Sequence, residues 1–134
     1  MRRVKADQSW QKALLCAQAA LDKKAYDLLI LEVSELTSFT DYFVLCTGRS
    51  DIQVQAMCRA IEDALAEAKI RPLAIEGYPH GQWVLIDCGD VVVHVFYESV
   101  REFYNLEGLW MQAVRRQLPE PYHSQAQDLR TATA

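Results

Sequence analysis

The sequence predicts an α/β (α+β) domain in which a mixed five-stranded sheet is flanked by helices. Apolar residues recur at steps of three and four in the longer stretches, as expected for helices with one buried side. Five shorter runs are rich in β-branched and aromatic residues, which favours strands. With 134 residues, 51% of them hydrophobic, the chain is large enough for one well-filled core. We therefore expect a single compact domain.

The first part of the chain is predicted to form a helix and then two strands. Residues 9–24 have the apolar spacing of an amphipathic helix. Residues 26–33 contain four consecutive apolar residues, which is typical of a central strand covered on both faces. A polar turn over residues 34–40 leads to the second strand, at residues 42–47.

A second helix is predicted to begin at Ser50. Ser50 and Gln53 have the S-x-x-Q spacing of a capping box, in which each side chain accepts a hydrogen bond from an otherwise unpaired backbone N–H. Pro72 ends this helix. Residues 73–76 are predicted to form a short edge strand, and residues 77–81 a loop.

The last two predicted strands, residues 83–88 and 91–97, form a hairpin. Gly89-Asp90 between them suits a tight two-residue turn that needs positive φ. Because the turn sets the pairing, the register follows by counting backwards from it. The predicted opposite pairs are Cys88 with Val91, Asp87 with Val92, Ile86 with Val93, Leu85 with His94, Val84 with Val95 and Trp83 with Phe96.

This register separates the hairpin into two faces of different composition. The compact apolar face, which suits a core under helices, holds Val84, Ile86, Cys88, Val91, Val93 and Val95. The mixed aromatic and polar face holds Trp83, Leu85, Asp87, Val92, His94 and Phe96. Periodicity alone fits burial of the second face under a helix as well as exposure as a protein interface. On this register Asp87 and His94 lie diagonally, within reach of a hydrogen bond.

The chain is predicted to turn helical again after residue 98 and to end in a polar tail. Apolar residues recur at Phe103, Leu106, Leu109 and Trp110. Residues 1–114 are therefore expected to form the domain. Residues 115–134 are polar with two prolines, and we predict a flexible C-terminal tail.

The charge and the sorting signals exclude several classes of protein. A formal net charge of −4 does not suit a protein that binds mainly by neutralising phosphates, so little direct nucleic-acid binding is expected. An acidic chain is better suited to a basic protein partner. The basic start lacks a following apolar segment, and nowhere are there eighteen uninterrupted apolar residues. We expect a cytoplasmic protein with no membrane span.

The cysteines and histidines give no metal or cofactor motif. The four cysteines contain no C-x-x-C pair and lie in apolar stretches, which favours buried free thiols. The three histidines fall in separate segments and none is paired at i, i+4. No metal site and no cofactor are predicted.

The predicted order of elements resembles the nucleotidyltransferase core, so an enzyme has to be considered. Such enzymes use a Gly-Ser turn before a helix and a D-x-D pair that holds Mg²⁺. Gly48-Arg49-Ser50 fits the turn, but no D-x-D occurs, and Asp87 and Asp90 straddle the predicted hairpin turn. We therefore predict a nucleotidyltransferase-like fold without the catalytic motif, no catalytic residue and no enzyme. A nucleotide-binding enzyme stays the alternative.

Several blocks of sequence, in this order, resemble the ribosomal silencing factor (RsfS/Iojap) family. They lie between about Trp10 and Val114. The blocks are D-Y-F-V at 41–44 with T-G at 47–48, E-G at 76–77, W-V-L-I-D at 83–87, G-D-V-V-V-H-V-F at 89–96, R-E-F-Y at 101–104 and L-E-G-L-W at 106–110.

The resemblance implies a function that needs no chemistry. Members of this family bind large-subunit ribosomal protein 14 on the 50S subunit, block its association with the 30S subunit and repress translation in starvation or stationary phase. A role in large-subunit assembly and the formation of homodimers are also implied. None of this follows from composition or spacing.

The same resemblance implies a surface for the ribosomal protein. Carried over by motif, it consists of Trp83, Leu85, Asp87, Val92, His94, Phe96, Tyr104, Leu106, Leu109 and Trp110. Glu98 and Arg101 are expected at its rim, where charge affects the rate of encounter more than the lifetime of a complex. Trp83 is expected to make the main contact.

Overall fold

The protein folds as a mixed α/β sandwich with helices on both faces of one sheet. The computed structural model describes residues 2–121 and 123–126. In the described chain the sheet has six strands in the order β3-β4-β5-β2-β1-β6. The elements are α1 (Arg2–Asp22), β1 (Tyr26–Glu32), β2 (Tyr42–Gly48), α2 (Asp51–Glu67), β3 (Ala74–Glu76), β4 (Trp83–Asp87), β5 (Val91–Tyr97), α3 (Glu98–Tyr104), α4 (Leu106–Leu109) and β6 (Val114–Arg116).

The strands combine parallel and antiparallel pairing, and the predicted fold class is confirmed. β2 and β5 pair in parallel, because the chain returns between them through α2, β3 and β4. The other paired strands run antiparallel. The β4–β5 hairpin has the predicted register, from Trp83 opposite Phe96 to Asp87 opposite Val92.

The main core lies between the sheet and the layer of α1 and α2. The compact apolar face of the hairpin points into it, and Val84, Ile86, Val91, Val93 and Val95 are fully buried there. The four cysteines are free thiols inside this core, as predicted. Burial raises the pKa of the Cys88 thiol to about 11, so its neutral form persists at physiological pH.

The sheet has one strand more than predicted. β6 pairs with β1, with Arg115 opposite Leu31, and so crosses the predicted domain end at residue 114. Its sequence, VRR, has no strand pattern and therefore did not predict a strand. Contacts with distant parts of the chain hold it in place. The Arg116 guanidinium binds Glu32 at 2.6 Å and lies 4.3 Å from the centre of the Trp10 ring. α1 likewise begins seven residues before the predicted start at residue 9.

The capping box of α2 is present with one changed partner. Ser50 Oγ accepts the backbone N–H of Gln53 at 3.0 Å, as predicted. Gln53 Oε1 accepts the N–H of Arg49 at 2.7 Å in place of the N–H of Ser50. The Gln53 amide also donates to the carbonyl oxygens of Lys23 and Lys24. This side chain therefore joins the start of α2 to the turn after α1.

Candidate functional site

The face of the sheet opposite α1 and α2 is only partly covered. Leu31, Val33, Leu45 and Phe96 form a small buried core there, under α3, α4 and the residues that follow α4. Around it lies a surface of half-buried and exposed side chains that we call the aromatic face. The aromatic face consists of Phe43, Trp83, Leu85, Val92, Tyr104 and Trp110.

Trp83 lies near the middle of several ring contacts. Its ring centre is 5.0 Å from those of Phe96 and of Tyr104, which is 54% exposed. Its indole Nε1 donates a hydrogen bond of 3.1 Å to Nδ1 of His94. Because Trp83 begins β4, its position is fixed by the hairpin, while Tyr104 reaches it from the end of α3.

His94 lies beneath the aromatic face and is 5% exposed. Its ring meets Phe43 edge-on at 5.3 Å and stacks near Phe96 at 6.1 Å. Since Nδ1 accepts the indole hydrogen, the proton of the neutral ring is assigned to Nε2, which finds no partner among the described residues. Burial lowers the pKa of His94 to about 4. The ring is therefore neutral at physiological pH.

The predicted hydrogen bond between Asp87 and His94 is absent from the described structure. Asp87 Oδ1 instead accepts the backbone N–H of Gly89 at 2.8 Å and stabilises the hairpin turn. The prediction was wrong because the hairpin turn places a backbone N–H within reach of the Asp87 carboxylate. The His94 imidazole accepts a hydrogen bond from Trp83, its other diagonal neighbour in the same ladder.

A second aromatic pair extends the face across β2. Phe43 meets Trp110 edge-to-face with ring centres 5.1 Å apart. Leu109 and Met111, on either side of Trp110, are 78% and 80% exposed. Sequence reasoning missed Phe43, because nothing local predicts that β2 pairs with β5 and sets Phe43 beside Val92. The aromatic content of β2 was the available signal.

Acidic residues lie on β3, β4 and α3, the elements that carry or adjoin the Trp83 part of the aromatic face. Glu76 is exposed and lies opposite Leu85 in the β3–β4 ladder. Asp87 is half-buried at the end of β4 opposite to Trp83, and Glu102 is exposed on α3. Such residues favour a basic partner surface.

Arg101 does not lie at the rim as predicted but inside the fold. It is 9% exposed, and its guanidinium donates to Thr47 Oγ1 at 2.8 Å and to Glu107 Oε2 at 3.0 Å. It also donates to the carbonyl oxygen of Asp27. These bonds join α3 to β1, β2 and α4, so Arg101 holds α3 on the sheet.

The other predicted site residues divide by exposure. His94 and Phe96 are buried and support the surface from below. Those with exposed or half-buried side chains are Trp83, Leu85, Asp87, Val92, Glu98, Tyr104, Leu106, Leu109 and Trp110. Trp83, Leu85, Asp87 and Val92 thus face one side of the sheet, whereas Glu98 accepts a hydrogen bond from the Tyr26 hydroxyl on β1. Whether they bind a partner stays a prediction.

Asp87 and Asp90, the nearest approach to a metal-binding D-x-D pair, each make contacts with other residues. Asp90 binds Lys12 at 2.6 Å and accepts from Ser9 at 2.7 Å, while Asp87 is held by the turn. Within residues 2–121 and 123–126, no three His, Cys, Asp or Glu side chains are grouped so as to hold a metal ion. No helix in the same ranges is long and apolar enough to cross a membrane.

Comparison with known proteins gives one consistent result. The family described as "RsfS: Ribosomal silencing factor during starvation" matches residues 6–134. The ribosomal silencing factor RsfS of Bacillus subtilis is 47% identical over 105 residues, which are 77% of this chain and 89% of that protein. A mouse protein named "Mitochondrial assembly of ribosomal large subunit protein 1" is 32% identical, over 66% of this chain and 40% of its own.

A solved structure agrees with the fold. A crystal structure of a Chromobacterium violaceum protein superimposes with a TM-score of 0.75 at 37% sequence identity. The match covers 83% of this chain and 89% of that one.

Proposed function

Because this chain belongs to the ribosomal silencing factor family, we propose that its aromatic face binds the large ribosomal subunit through ribosomal protein 14. The bound chain blocks association of the 50S with the 30S subunit and represses translation in starvation or stationary phase. The observation that carries this proposal is the partly uncovered aromatic face around Trp83. Trp83, Leu85 and Val92, which the resemblance assigns to the partner surface, lie on this face.

The composition of the aromatic face suits a protein interface. Tryptophan and tyrosine carry much of the binding energy in protein complexes, because they bury a large apolar area at small entropic cost. Here two tryptophans and one tyrosine are half-buried or exposed on one surface. The acidic residues on β3, β4 and α3 and the net charge of −4 favour a basic partner, as ribosomal proteins are.

The layered fold supports blocking by bulk. The aromatic face lies on one side of the sheet, and α1 and α2 cover the other side. A chain bound through the aromatic face would therefore project its helical layer away from the 50S surface. That layer would occupy space at the subunit interface without any chemical step, so we propose a non-catalytic factor that acts in the cytoplasm, where ribosomes work.

Two tryptophans on opposite layers allow a matched test. Trp83→Ala removes the proposed main contact, whereas Trp10→Ala removes a half-buried tryptophan that packs against Tyr42, 5.5 Å away on the other side of the sheet. Affinity for purified 50S subunits is measured by cosedimentation, and melting temperature is measured beside it. Trp83→Ala is expected to weaken binding by about thirtyfold, or roughly 2 kcal/mol. Trp10→Ala is expected to lower stability and leave the affinity of the folded protein unchanged. Equal affinity of both variants would contradict the proposal.

A role in assembly of the large subunit is the second candidate. It is favoured by the printed name of the mouse relative, which concerns mitochondrial assembly of the large ribosomal subunit. The same surface can serve both roles. Depletion of the chain in growing cells separates the two roles. Loss of an assembly factor makes precursors of the large subunit accumulate, whereas loss of a pure silencing factor leaves mature large subunits.

A homodimer through the aromatic face is a further part of this proposal. An apolar surface left open on a single chain is a common site of self-association. Light scattering of the wild type and of Trp83→Ala tests it. Loss of a dimer in the variant alone would support this interface, and a dimer unchanged by the substitution would place the contact elsewhere.

A further inference from the structure

We propose that His94 is a positioning residue for partner binding, which fixes the Trp83 indole in one orientation and withdraws its N–H from the partner. This inference rests on the proposed function of the aromatic face. It adds how the face is prepared and what chemistry it presents.

The first step is the hydrogen bond between the two rings. Trp83 Nε1 lies 3.1 Å from His94 Nδ1, and the two residues are diagonal neighbours in the β4–β5 ladder. An indole has a single polar hydrogen and no acceptor. Once that hydrogen is donated to His94, Trp83 offers a partner only its ring carbons.

The second step is that His94 is itself immobile and directed to Trp83 alone. It is 5% exposed and is held between Phe43 and Phe96, at 5.3 and 6.1 Å between ring centres. Its other nitrogen, Nε2, has no partner among the described residues. The one side-chain hydrogen bond of His94 in the described structure is thus the bond with Trp83.

The third step is that this arrangement is costly for folding. A buried donor without a partner destabilises a fold, so an apolar ring at position 94 would serve the core better. Burial also keeps the imidazole neutral, with its pKa lowered to about 4, so Nδ1 stays an acceptor at physiological pH. A residue that is unfavourable for packing yet holds a half-buried surface neighbour is best explained by what that neighbour does.

The consequence for binding is preorganisation. A tryptophan already held in its bound orientation loses less side-chain freedom when a partner arrives. Losing this restraint is expected to weaken binding by about twofold to tenfold. The partner groups that fit the remaining ring surface are aliphatic side chains, or a basic side chain over the ring.

Two substitutions separate the hydrogen bond from the packing. His94→Phe keeps a ring between Phe43 and Phe96 and removes the acceptor. His94→Gln supplies an amide oxygen that can accept the indole hydrogen. In the free protein, solvent exchange of the Trp83 indole proton is followed by NMR, with the signal assigned by its loss in Trp83→Phe. Exchange is expected to be faster in His94→Phe than in the wild type, and slower again in His94→Gln.

A double-mutant cycle then asks whether His94 acts through Trp83. Affinity for 50S subunits is measured for the wild type, His94→Phe, Trp83→Phe and the double variant. His94→Phe is expected to weaken binding by about twofold to tenfold in the wild-type background and to have no effect in the Trp83→Phe background, where no indole N–H exists. His94→Gln should recover most of the affinity.

The possible failures are distinguishable. An unchanged indole exchange rate in His94→Phe, or an equal loss of affinity in both backgrounds, overturns the positioning role. A wild type that does not bind 50S subunits at all overturns the proposed function, and the positioning role with it.

Discussion

Mild acidification is predicted to destabilise this protein through one buried side chain, His94. Burial among Phe43, Trp83 and Phe96 lowers the pKa of its imidazole from 6.5 to about 4. In the unfolded chain the ring takes up a proton with an ordinary pKa near 6.5. Its contribution to stability is therefore fully present above pH 6.5 and is lost as the pH falls through 6.5 toward 4, because only the unfolded state binds the proton there.

The size of the effect follows from the two pKa values. At pH 5 the ring is almost wholly protonated in the unfolded chain and mostly neutral in the fold, which lowers the free energy of unfolding by about 2 kcal/mol relative to pH 7. Near pH 4 the loss approaches about 3 kcal/mol. For a chain of this length, 2 kcal/mol corresponds to a fall in Tm of about 8 °C.

The assay compares urea unfolding of the wild type and of His94→Phe at pH 7, 6 and 5. Burial raises the pKa of Asp90, but the hydrogen bonds from Lys12 and Ser9 outweigh it and hold that pKa below its ordinary value. The stabilisation that the ionised Asp90 carboxylate gives the fold is therefore lost only below about pH 4, outside the pH range of this assay. The wild type should lose stability between pH 7 and pH 5 and the variant should lose much less. Parallel losses in both proteins would refute the reasoning.

Three further substitutions test the structure around the aromatic face. Arg101→Met should cost roughly 3 kcal/mol in thermal unfolding, because Glu107 loses its buried partner, whereas an exposed rim arginine would cost less than about 1 kcal/mol. Gly77→Ala should cost about 1–3 kcal/mol in urea unfolding and also weaken 50S binding, since Gly77 has φ +85 and an added Cβ would lie 2.2 Å from the Trp83 carbonyl oxygen. Ser50→Ala should cost about 1 kcal/mol through the lost helix cap, and unchanged unfolding would show that the cap is not needed.

The hairpin was predictable because its determinants are local. Gly89-Asp90 sets the turn, and the period of two then decides which side chains enter the core. The cap at Ser50 was predictable for the same reason. In both cases residues a few positions apart decide the structure, and no distant segment competes with them.

The partial cover of the aromatic face could not be predicted in the same way. Its extent depends on where α3, α4 and Trp110 pack, and periodicity says only that they have apolar sides. Arg101 is an example, because a charged residue in a helix is usually exposed. It is buried here because two side chains accept hydrogen bonds from its guanidinium: Thr47, which is distant in sequence, and Glu107, which lies in the next helix. β6 is likewise fixed by contacts with Glu32 and not by its own sequence.

The most direct test of the proposed function is sedimentation of separated 30S and 50S subunits with this protein as Mg²⁺ is raised to promote joining. The account predicts that the chain travels with the 50S subunit and that fewer joined ribosomes form. Both effects should be weaker in Trp83→Ala and retained in Trp10→Ala. A normal yield of joined ribosomes with the chain bound would contradict silencing, and no comigration at micromolar protein would contradict binding itself.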